Sequence, residues 1–414
     1  QDPLSRRHAW SVLIASTFAF TICFMVWMMF AVLSVPLQKI LNLNETQTMI
    51  LAATPVLSGS LIRVPLGIWT DKYGGRIVFF CLMIATVIPI FLMSYATQYW
   101  HFLVIGLFVG LAGGSFSVGT PYVARWFERD QQGMAMGIFG AGNAGSSLTK
   151  LIAPAIIAWA GWQMVPTVYA AIMLATAVLF WFFSYSDPKH LVPSNVTLAS
   201  QLKLMKDPAV LRYCQLYSVV FGGYVALALW MVKYYVNEYG FSLATAGFLA
   251  MCFSLPGGVL RAFGGYLSDK FGALKVTWAV MWVCWVAFFI LSYPQTELVV
   301  QSTQGPKSFH LGLNATVFTV ILFGVGIAMA VGKASVFKFI ADEFPQDIGA
   351  VSGAVGLAGG LGGFFLPIMF GALVDLTGIR STSFMLLYGT VCVSLVWMYF
   401  SFRDVRNREI KHSS

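Results

Sequence analysis

The stretch SGSLIRVPLGIWTDKYGGR, residues 58–76, places Arg63 well inside an apolar region that runs from MILAATPVL (49–57) to IVFFCLMIATVIPIFLM (77–93). The stretch SLPGGVLRAFGGYLSDKFG, residues 254–272, repeats it with the same internal spacing. The matched pairs, each 198 residues apart, are Arg63 and Arg261, Gly67 and Gly265, Asp71 and Asp269, and Gly74 and Gly272. This repeat predicts two similar halves, with the two arginines on corresponding helices.

The composition predicts that these helices lie in a membrane. Of the 414 residues, 58% are hydrophobic and 10% are charged, with a mean hydropathy of +0.77, and no soluble fold can bury that much apolar surface. Runs of about 20 apolar residues, the length of a helix that crosses a bilayer, recur along the chain. Because backbone polar groups in lipid must be paired within their segment, and because the sequence lacks the alternation of barrel strands, we expect an all-α polytopic membrane protein.

We expect twelve transmembrane helices in two pseudo-symmetric halves of six. The predicted spans are residues 10–36, 48–70, 76–97, 101–126, 134–159, 164–184, 210–234, 243–267, 275–293, 312–338, 349–374 and 381–402. The longest cytoplasmic connection follows the sixth span. It divides the chain into an N-terminal half (1–184), a linker between the halves (185–209) and a C-terminal half (210–414).

The net charge of +9 predicts an orientation in the membrane rather than a nucleic-acid partner. With the N-terminus inside, the cytoplasmic side receives Arg6, Arg7, Lys72, Arg76, Arg125, Arg129, Lys189, Lys203, Lys206, Arg212, Lys270, Lys275, Lys338, Arg403, Arg406, Arg408 and Lys411. The exterior receives Lys39, Lys233, Lys307 and Arg380. This asymmetry follows the positive-inside rule, so we expect a multi-pass protein of the cell membrane with both termini in the cytoplasm. The first span is too long for a cleavable signal peptide.

Four cations, Arg63, Lys150, Arg261 and Lys333, fall within the predicted spans, whereas every acid and histidine falls in a loop or at a span end. A charge at membrane depth costs on the order of 3 kcal/mol, so such groups normally face a protein interior or a wet cavity. The alternative is that long side chains near helix ends reach the interface, and Lys333 is the nearest of the four to a cytoplasmic end. We expect the two arginines to face each other near the midplane and to clamp a small planar oxyanion.

Two glycine-rich segments accompany these cations: GMAMGIFGAGNAGSSLTK (133–150) and GAVSGAVGLAGGLGGFF (349–365). Close packing of helices through small residues explains most of the glycines. Asn143 is different, because a carboxamide at mid-span needs partners. It lies two turns before Lys150, with two serines between them on nearly the same face.

These motifs resemble a known family. GIWTDKYGGR (67–76) and its weaker copy GYLSDKFGALK (265–275) are similar to the loop signature of the major facilitator superfamily, although the copy lacks a basic residue at the place of Arg76. Together with the glycine-rich segments, the paired arginines resemble the NarK-like nitrate/nitrite porters. The resemblance implies secondary active transport of nitrate or nitrite by alternating access, with protons as the coupling ion.

The resemblance also implies roles for individual residues. Arg63 and Arg261 match its substrate arginines, and the other implied substrate residues are Asn143, Phe116, Tyr217 and Phe221. Lys150 and Lys333 resemble features of shorter porters with proton-coupled uptake. The implied gating residues are Asp71, Arg76, Arg125 and Asp269. Asp71 is expected to stabilise the outward-open state through Arg125 or the N-terminal end of the eleventh helix.

Several alternatives remain open at this stage. They are a nitrate/nitrite antiporter, a porter for a small carboxylate such as formate or oxalate, and an anion-sensing receptor. An enzyme is disfavoured because the spans offer no nucleophile with a base, no metal cluster and no carboxylate pair. The six cysteines all fall in spans without metal-ligand spacing, so we expect no metal and no cofactor. The expected partners are the anion, protons and membrane lipid, around a monomer.

Overall fold

The computed structural model describes residues 3–128, 130–188, 197–344 and 348–413. Within them, twelve successive helical segments, TM1 to TM12, match the twelve predicted spans. In the N-terminal half they are TM1 (Pro3–Trp27, Phe30–Ile40), TM2 (Glu45–Leu61, Arg63–Tyr73), TM3 (Gly75–Met93), TM4 (Tyr99–Val109, Gly110–Gly114, Ser115–Ala124), TM5 (Gln132–Gly140, Ala141–Ala144, Gly145–Ala160) and TM6 (Met164–Phe183).

The C-terminal half follows a short helix, Leu198–Leu204, in the linker. Its spans are TM7 (Pro208–Tyr217, Ser218–Gly222, Gly223–Tyr239), TM8 (Leu243–Val259, Arg261–Phe271), TM9 (Ala273–Leu291), TM10 (Ala315–Glu343), TM11 (Ile348–Thr377) and TM12 (Thr382–Ser413). Ten of the twelve are each long and apolar enough to cross a bilayer, and TM8 becomes the eleventh when its two parts, bent by 48°, are taken together. A 3₁₀ turn divides TM5 into helices of 9 and 16 residues.

The helical membrane fold predicted from the sequence is confirmed, with one addition. The connection between TM9 and TM10 forms an antiparallel hairpin of β1 (Thr296–Ser302) and β2 (Gly305–Leu311), which the sequence reasoning missed. We call the side of the bundle that carries this hairpin the hairpin side. The opposite side, where both ends of the described chain lie, is the terminal side.

The repeated stretch adopts matching structures in the two halves. Gly74 ends TM2 at φ 96°, ψ 149°, and Gly272 ends TM8 at φ 91°, ψ 137°. An L side chain rarely adopts such positive φ values, so glycine is required at both turns. Both helices are also interrupted one residue before the arginine, at Ile62 and at Leu260. Pro65 contributes to the first interruption because it has no N–H to donate to the carbonyl of Leu61.

Among the described residues, the largest contacts between the two halves pair TM2 with TM11, TM5 with TM8 and TM1 with TM7, and TM2 also contacts TM7. Glycines allow the closest approaches. A Cβ at Gly247 of TM8 would lie 2.2 Å from the carbonyl oxygen of Lys150, and one at Gly371 of TM11 would lie 2.5 Å from that of Glu45. Small residues therefore bring the backbones of opposite halves together, although neither of these glycines belongs to the glycine-rich segments singled out in the sequence. Of the glycines in the TM5 motif, Gly133 and Gly140 have no such neighbour.

Candidate functional site

Arg63 and Arg261 line one cavity of about 510 Å³ between the halves. Each is the first residue after the interruption of its helix, so each lies at the N-terminal end of an 11-residue helix whose dipole also favours an anion. Both side chains are half-buried, and Arg63 Nε is buried without a hydrogen-bond partner. Among the described residues, neither guanidinium forms an ion pair. The cavity therefore holds two positive groups that an anion can join.

An aromatic ring lies beside each guanidinium group. The Arg63 Cζ lies 5.6 Å from the centre of the Phe221 ring, and the Arg261 Cζ lies 5.2 Å from that of Phe337. The Phe337 ring packs edge-on against Tyr217 at 4.8 Å. Sequence reasoning missed Phe337, although it lies one turn after Lys333 on TM10. Both guanidinium groups are therefore within cation–π distance of an aromatic ring.

Tyr217 and Phe221 are stacked, with ring centroids 5.1 Å apart and an interplanar angle of 1°. The backbone between them, Ser218–Gly222, is a π-helical turn, a feature often found at functional sites. A Cβ at Gly359 of TM11 would lie 2.4 Å from the Tyr217 ring. The glycine-rich segment of TM11 therefore makes room for the aromatic pair that was predicted on TM7.

Phe116 lies in the wall of the same cavity, as predicted, and its ring packs against Phe20 and Phe139. Asn143 belongs instead to a polar cluster beside the TM8 interruption, where a Cβ at Gly258 would lie 3.1 Å from the Asn143 Cβ. Ser146 Oγ donates to the Asn143 carbonyl at 3.1 Å and lies 3.3 Å from the Tyr224 hydroxyl. The backbone at Asn143 therefore packs against TM8, and Ser146 one turn later connects TM5 to Tyr224 of TM7.

The two predicted coupling lysines have different surroundings. Lys333 is 2% exposed, donates from Nζ to the carbonyl of Gly257 at 2.8 Å and lies over the Tyr224 ring at 3.4 Å. Lys150 is fully buried, and its Nζ has no hydrogen-bond partner in the described part of the chain. Lys333 Nζ also lies 6.0 Å from the centre of the Phe221 ring, which contacts Arg63, whereas Lys150 lies in the TM5–TM8 interface without an acceptor among the described residues.

On the terminal side, Asp71 pairs with Arg125 at 2.6 Å, and Arg125 also pairs with Asp187 at 2.8 Å. Burial raises the pKa of the Asp187 carboxyl, while hydrogen bonds from the Gly75 N–H and from Arg125 oppose that shift. Arg76 donates to the carbonyl of Trp181 and stacks on its ring at 3.9 Å. All of these contacts lie within the N-terminal half and the first residues of the linker, where Asp187 is. Asp269 of the C-terminal half lies 3.8 Å from Lys338 of the same half.

On the hairpin side, charged groups connect the two halves, and sequence reasoning missed them. Lys233 of TM7, predicted to face the exterior, is 2% exposed and pairs with Glu45 of TM2. Asp375 of TM11 accepts hydrogen bonds from the N–H groups of Glu45 and Thr46 at 3.1 and 2.8 Å. Asp375 therefore caps the N-terminus of TM2 from the opposite half.

The described residues contain no group of three or more His, Cys, Asp or Glu side chains that could hold a metal ion. The arginine cavity offers cationic, aromatic and hydroxyl groups. These groups can bind and release an anion. The two ends of the bundle differ, because charged contacts join the halves on the hairpin side, whereas the cavity extends to Asp71 near the terminal side.

Comparison with solved structures supports the fold. A bacterial homolog of the human lysosomal transporter Spinster, crystallised in an inward-facing and occupied conformation, aligns with a TM-score of 0.73 over 96% of this chain and 97% of that one. The two sequences are 14% identical, so this likeness concerns the fold alone.

Comparison with known sequences is more specific. The sequence model of the Major Facilitator Superfamily matches residues 16–302 and 232–414. A probable nitrate/nitrite antiporter, NarK1, of Thermus thermophilus is 39% identical over 97% of this chain and 93% of that protein. A probable nitrate transporter, NarT, of Staphylococcus haemolyticus is 33% identical over 91% and 92%. A nitrite extrusion protein of Bacillus subtilis is 29% identical over 92% of both. The chain therefore belongs to the Major Facilitator Superfamily and, within it, to the NarK-like nitrate/nitrite porters.

Proposed function

We propose that this protein is a secondary active transporter that imports nitrate or nitrite with protons by alternating access. The observation that carries the proposal is the placement of Arg63 and Arg261 at matching helix interruptions on one cavity, without an ion-pair partner among the described residues. Removing one partner from a buried charge pair is strongly unfavourable, so two unpaired guanidinium groups at membrane depth favour binding of an anion. The names of the relatives point to nitrate and nitrite.

The shape of the anion follows from the donors. A guanidinium group presents paired N–H donors in one plane, which suits a small planar oxyanion with two or three oxygens. Phe221 and Phe337 lie beside the two guanidinium groups, and Phe116 supplies an apolar wall. Formate and oxalate present a similar pair of oxygens, so a small carboxylate remains the competing candidate for the substrate.

Alternating access follows from the two ends of the bundle. The arginine cavity reaches Asp71 near the terminal end of TM2, while ion pairs and a helix cap join the halves on the hairpin side. With both termini in the cytoplasm, as the distribution of basic residues predicts, this conformation faces inward. Release to the cytoplasm would then alternate with opening of the hairpin side.

Uptake of an anion into a negative-inside cell costs about 2.3 kcal/mol per charge per 100 mV, so accumulation needs more than one proton per monovalent anion, or an exchanged anion. The described spans offer no buried pair of carboxylates for the proton, but they offer Lys150, whose Nζ is buried without an acceptor. A proton on Lys333, whose Nζ lies 6.0 Å from the centre of the Phe221 ring, is most favourable when an anion is bound in the cavity; Lys150, in the TM5–TM8 interface, is the second candidate. Loading of proton and anion is then cooperative.

Nitrate binding to the purified protein tests the site. Arg63→Lys and Arg261→Lys keep the charge but lose the paired donors, so each should weaken binding by roughly 1.5–3 kcal/mol, or about tenfold to a hundredfold. Arg403→Lys, a substitution at an exposed arginine near the end of TM12, is the matched control and should bind normally. Near-normal binding in both cavity variants contradicts the clamp. Stronger competition by formate or oxalate than by nitrite favours the carboxylate porter.

Flux into liposomes tests the coupling. An inward proton gradient should drive nitrate uptake by the wild type, and Lys150→Gln or Lys333→Gln should abolish that uptake while preserving nitrate counterflow. The name of the Thermus relative favours exchange as the second candidate. Nitrate flux that is independent of the pH gradient but requires nitrite inside the liposomes establishes an exchanger. Anion binding without any flux indicates a receptor.

A further inference from the structure

A second cavity, of about 860 Å³, is a groove between TM1 and TM6, separate from the arginine cavity. Its floor is closed by Thr176 and Phe180, each 2% exposed, and by the small side chain of Ala15. Its rims carry large apolar side chains that face outward from the bundle: Ile14 and Phe18 of TM1, which are 63% and 50% exposed, and Leu179 and Phe183 of TM6, which are 48% and 58% exposed. The groove therefore opens toward the lipid.

The terminal end of this groove is cationic. Arg6 and Arg7 line it there, side by side on the first turns of TM1, and no acidic side chain is among the lining residues. Both arginines are exposed. From Arg6 to Phe18 the helix rises about 18 Å. One leaflet of the bilayer has a hydrocarbon layer of about 15 Å, half of the usual core thickness. The groove thus has a polar end for a headgroup and an apolar length for an acyl chain.

We propose that this groove binds one phospholipid with an anionic headgroup, whose phosphate contacts Arg6 and Arg7 and whose acyl chain lies over Ala15 between the two rims. Basic pockets between helices on the cytoplasmic side of membrane proteins suit such lipids, because charge and apolar area act together. The two helices are joined at the polar end of the groove, where Ser11 Oγ donates to the carbonyl of Phe183 at 2.5 Å. A bound lipid would cover this junction and stabilise the packing of TM1 on TM6.

The test uses the purified full-length protein in detergent with added phosphatidylglycerol or phosphatidylcholine. Native mass spectrometry counts the lipid retained, and thermal unfolding measures the stabilisation. The wild type should retain one phosphatidylglycerol and show a higher Tm with it than with phosphatidylcholine or with inorganic phosphate. Arg6→Gln/Arg7→Gln should weaken retention roughly fivefold for each arginine lost. Ala15→Phe, which fills the floor and keeps the charges, should abolish the same selective stabilisation.

The matched control is Lys270→Gln/Lys275→Gln, which removes two exposed basic residues from the same side of the bundle but outside the groove. This control should retain phosphatidylglycerol like the wild type. An equal loss in the control shows general attraction of anionic lipid to a basic surface and overturns the site. Normal retention by Ala15→Phe, or equal stabilisation by inorganic phosphate, also overturns it, because the acyl chain would then have no part in binding.

Discussion

The two ends of the bundle use their charges in different ways. On the hairpin side, Lys233 pairs with Glu45 and Asp375 caps the start of TM2, so charged contacts join the two halves. On the terminal side, Asp71 pairs with Arg125 and Asp269 lies near Lys338, so each contact stays within one half. The hairpin side is therefore closed by contacts that reorientation must break, whereas the charged contacts on the terminal side can persist while that end is open.

The contacts also differ in burial. Lys233 is 2% exposed and Glu45 is 16% exposed, whereas Lys338 and Asp269 are 39% and 72% exposed. Buried charges depend strongly on their partners, and exposed pairs contribute little. The contact between the halves at Lys233 therefore depends more strongly on its partner than the Lys338–Asp269 contact does.

The largest expected shift in the balance between the two conformations comes from Glu45→Gln. The substitution leaves the buried ammonium of Lys233 without its carboxylate, which costs about 3 kcal/mol in the closed state, or about a hundredfold in population. The hairpin side should therefore open. Spin labels at Lys39 and Tyr293, exposed positions on that side in the two halves, should report a longer distance.

A double variant sharpens this prediction. Lys233→Met combined with Glu45→Gln removes the stranded charge as well, so it should return most of the population to the closed state. If Glu45→Gln leaves the distance distribution unchanged, the ion pair does not hold the halves together, and the contrast between the two ends fails.

A smaller effect is expected for Asp375→Asn. The amide oxygen can still accept one hydrogen bond from the start of TM2, but the charge that interacts with the helix dipole is lost, which costs about 1–2 kcal/mol. The distance between the same two spin labels should also increase, but by less than in Glu45→Gln. Glu238→Gln is the matched control, because it breaks a pair with Arg380 on the hairpin side within the C-terminal half. Equal opening in both variants would show that contacts between the halves have no special role.

The sequence was sufficient to predict the spans and the paired arginines, because apolar length and a repeat of identical spacing are local or periodic signals. It placed Lys233 on the exterior, since a lysine near the end of a span looks like an interfacial residue. Its partner Glu45 lies 188 residues away, and only the packing of TM2 and TM7 in opposite halves brings the two together. Residues paired across the halves have no signature in a single sequence.

The π-helical turn in TM7 also depends on contacts that cannot be predicted from the sequence of its own helix. Tyr217 and Phe221 were predicted as a pair from their spacing, but the Ser218–Gly222 turn and the space beside Gly359 that allow them to stack depend on TM11. Phe337 was missed because an aromatic residue on an apolar helix carries no distinguishing signal until its guanidinium neighbour is known. The hairpin of β1 and β2 was missed because it lies in the connection between TM9 and TM10, and apolar length, the signal that predicts membrane spans, carries no information on such a connection.

On the terminal side, Asp71→Asn should have a moderate effect. Asp71 and Arg125 are 26% and 18% exposed, so loss of the pair costs about 1 kcal/mol or less in the present conformation. If Asp71 also contacts the start of TM11 when this end closes, the variant should slow nitrate flux several-fold while nitrate binding stays normal. Unchanged flux together with an unchanged distance between terminal-side spin labels would exclude Asp71 from the gate.

The smallest effect is expected for Asp269→Asn, the matching position in the C-terminal half. Asp269 is largely exposed and lies 3.8 Å from Lys338, which already has Asp342 at 3.1 Å one helical turn away. Because Lys338 keeps that second carboxylate, flux and binding should both stay within error of the wild type. The comparison with Asp71→Asn is informative because the repeat aligns the two residues. If Asp269→Asn slows flux as much as Asp71→Asn does, the two halves contribute equally to the terminal-side gate. The shorter ion pair in the N-terminal half then has no special role in closing that end.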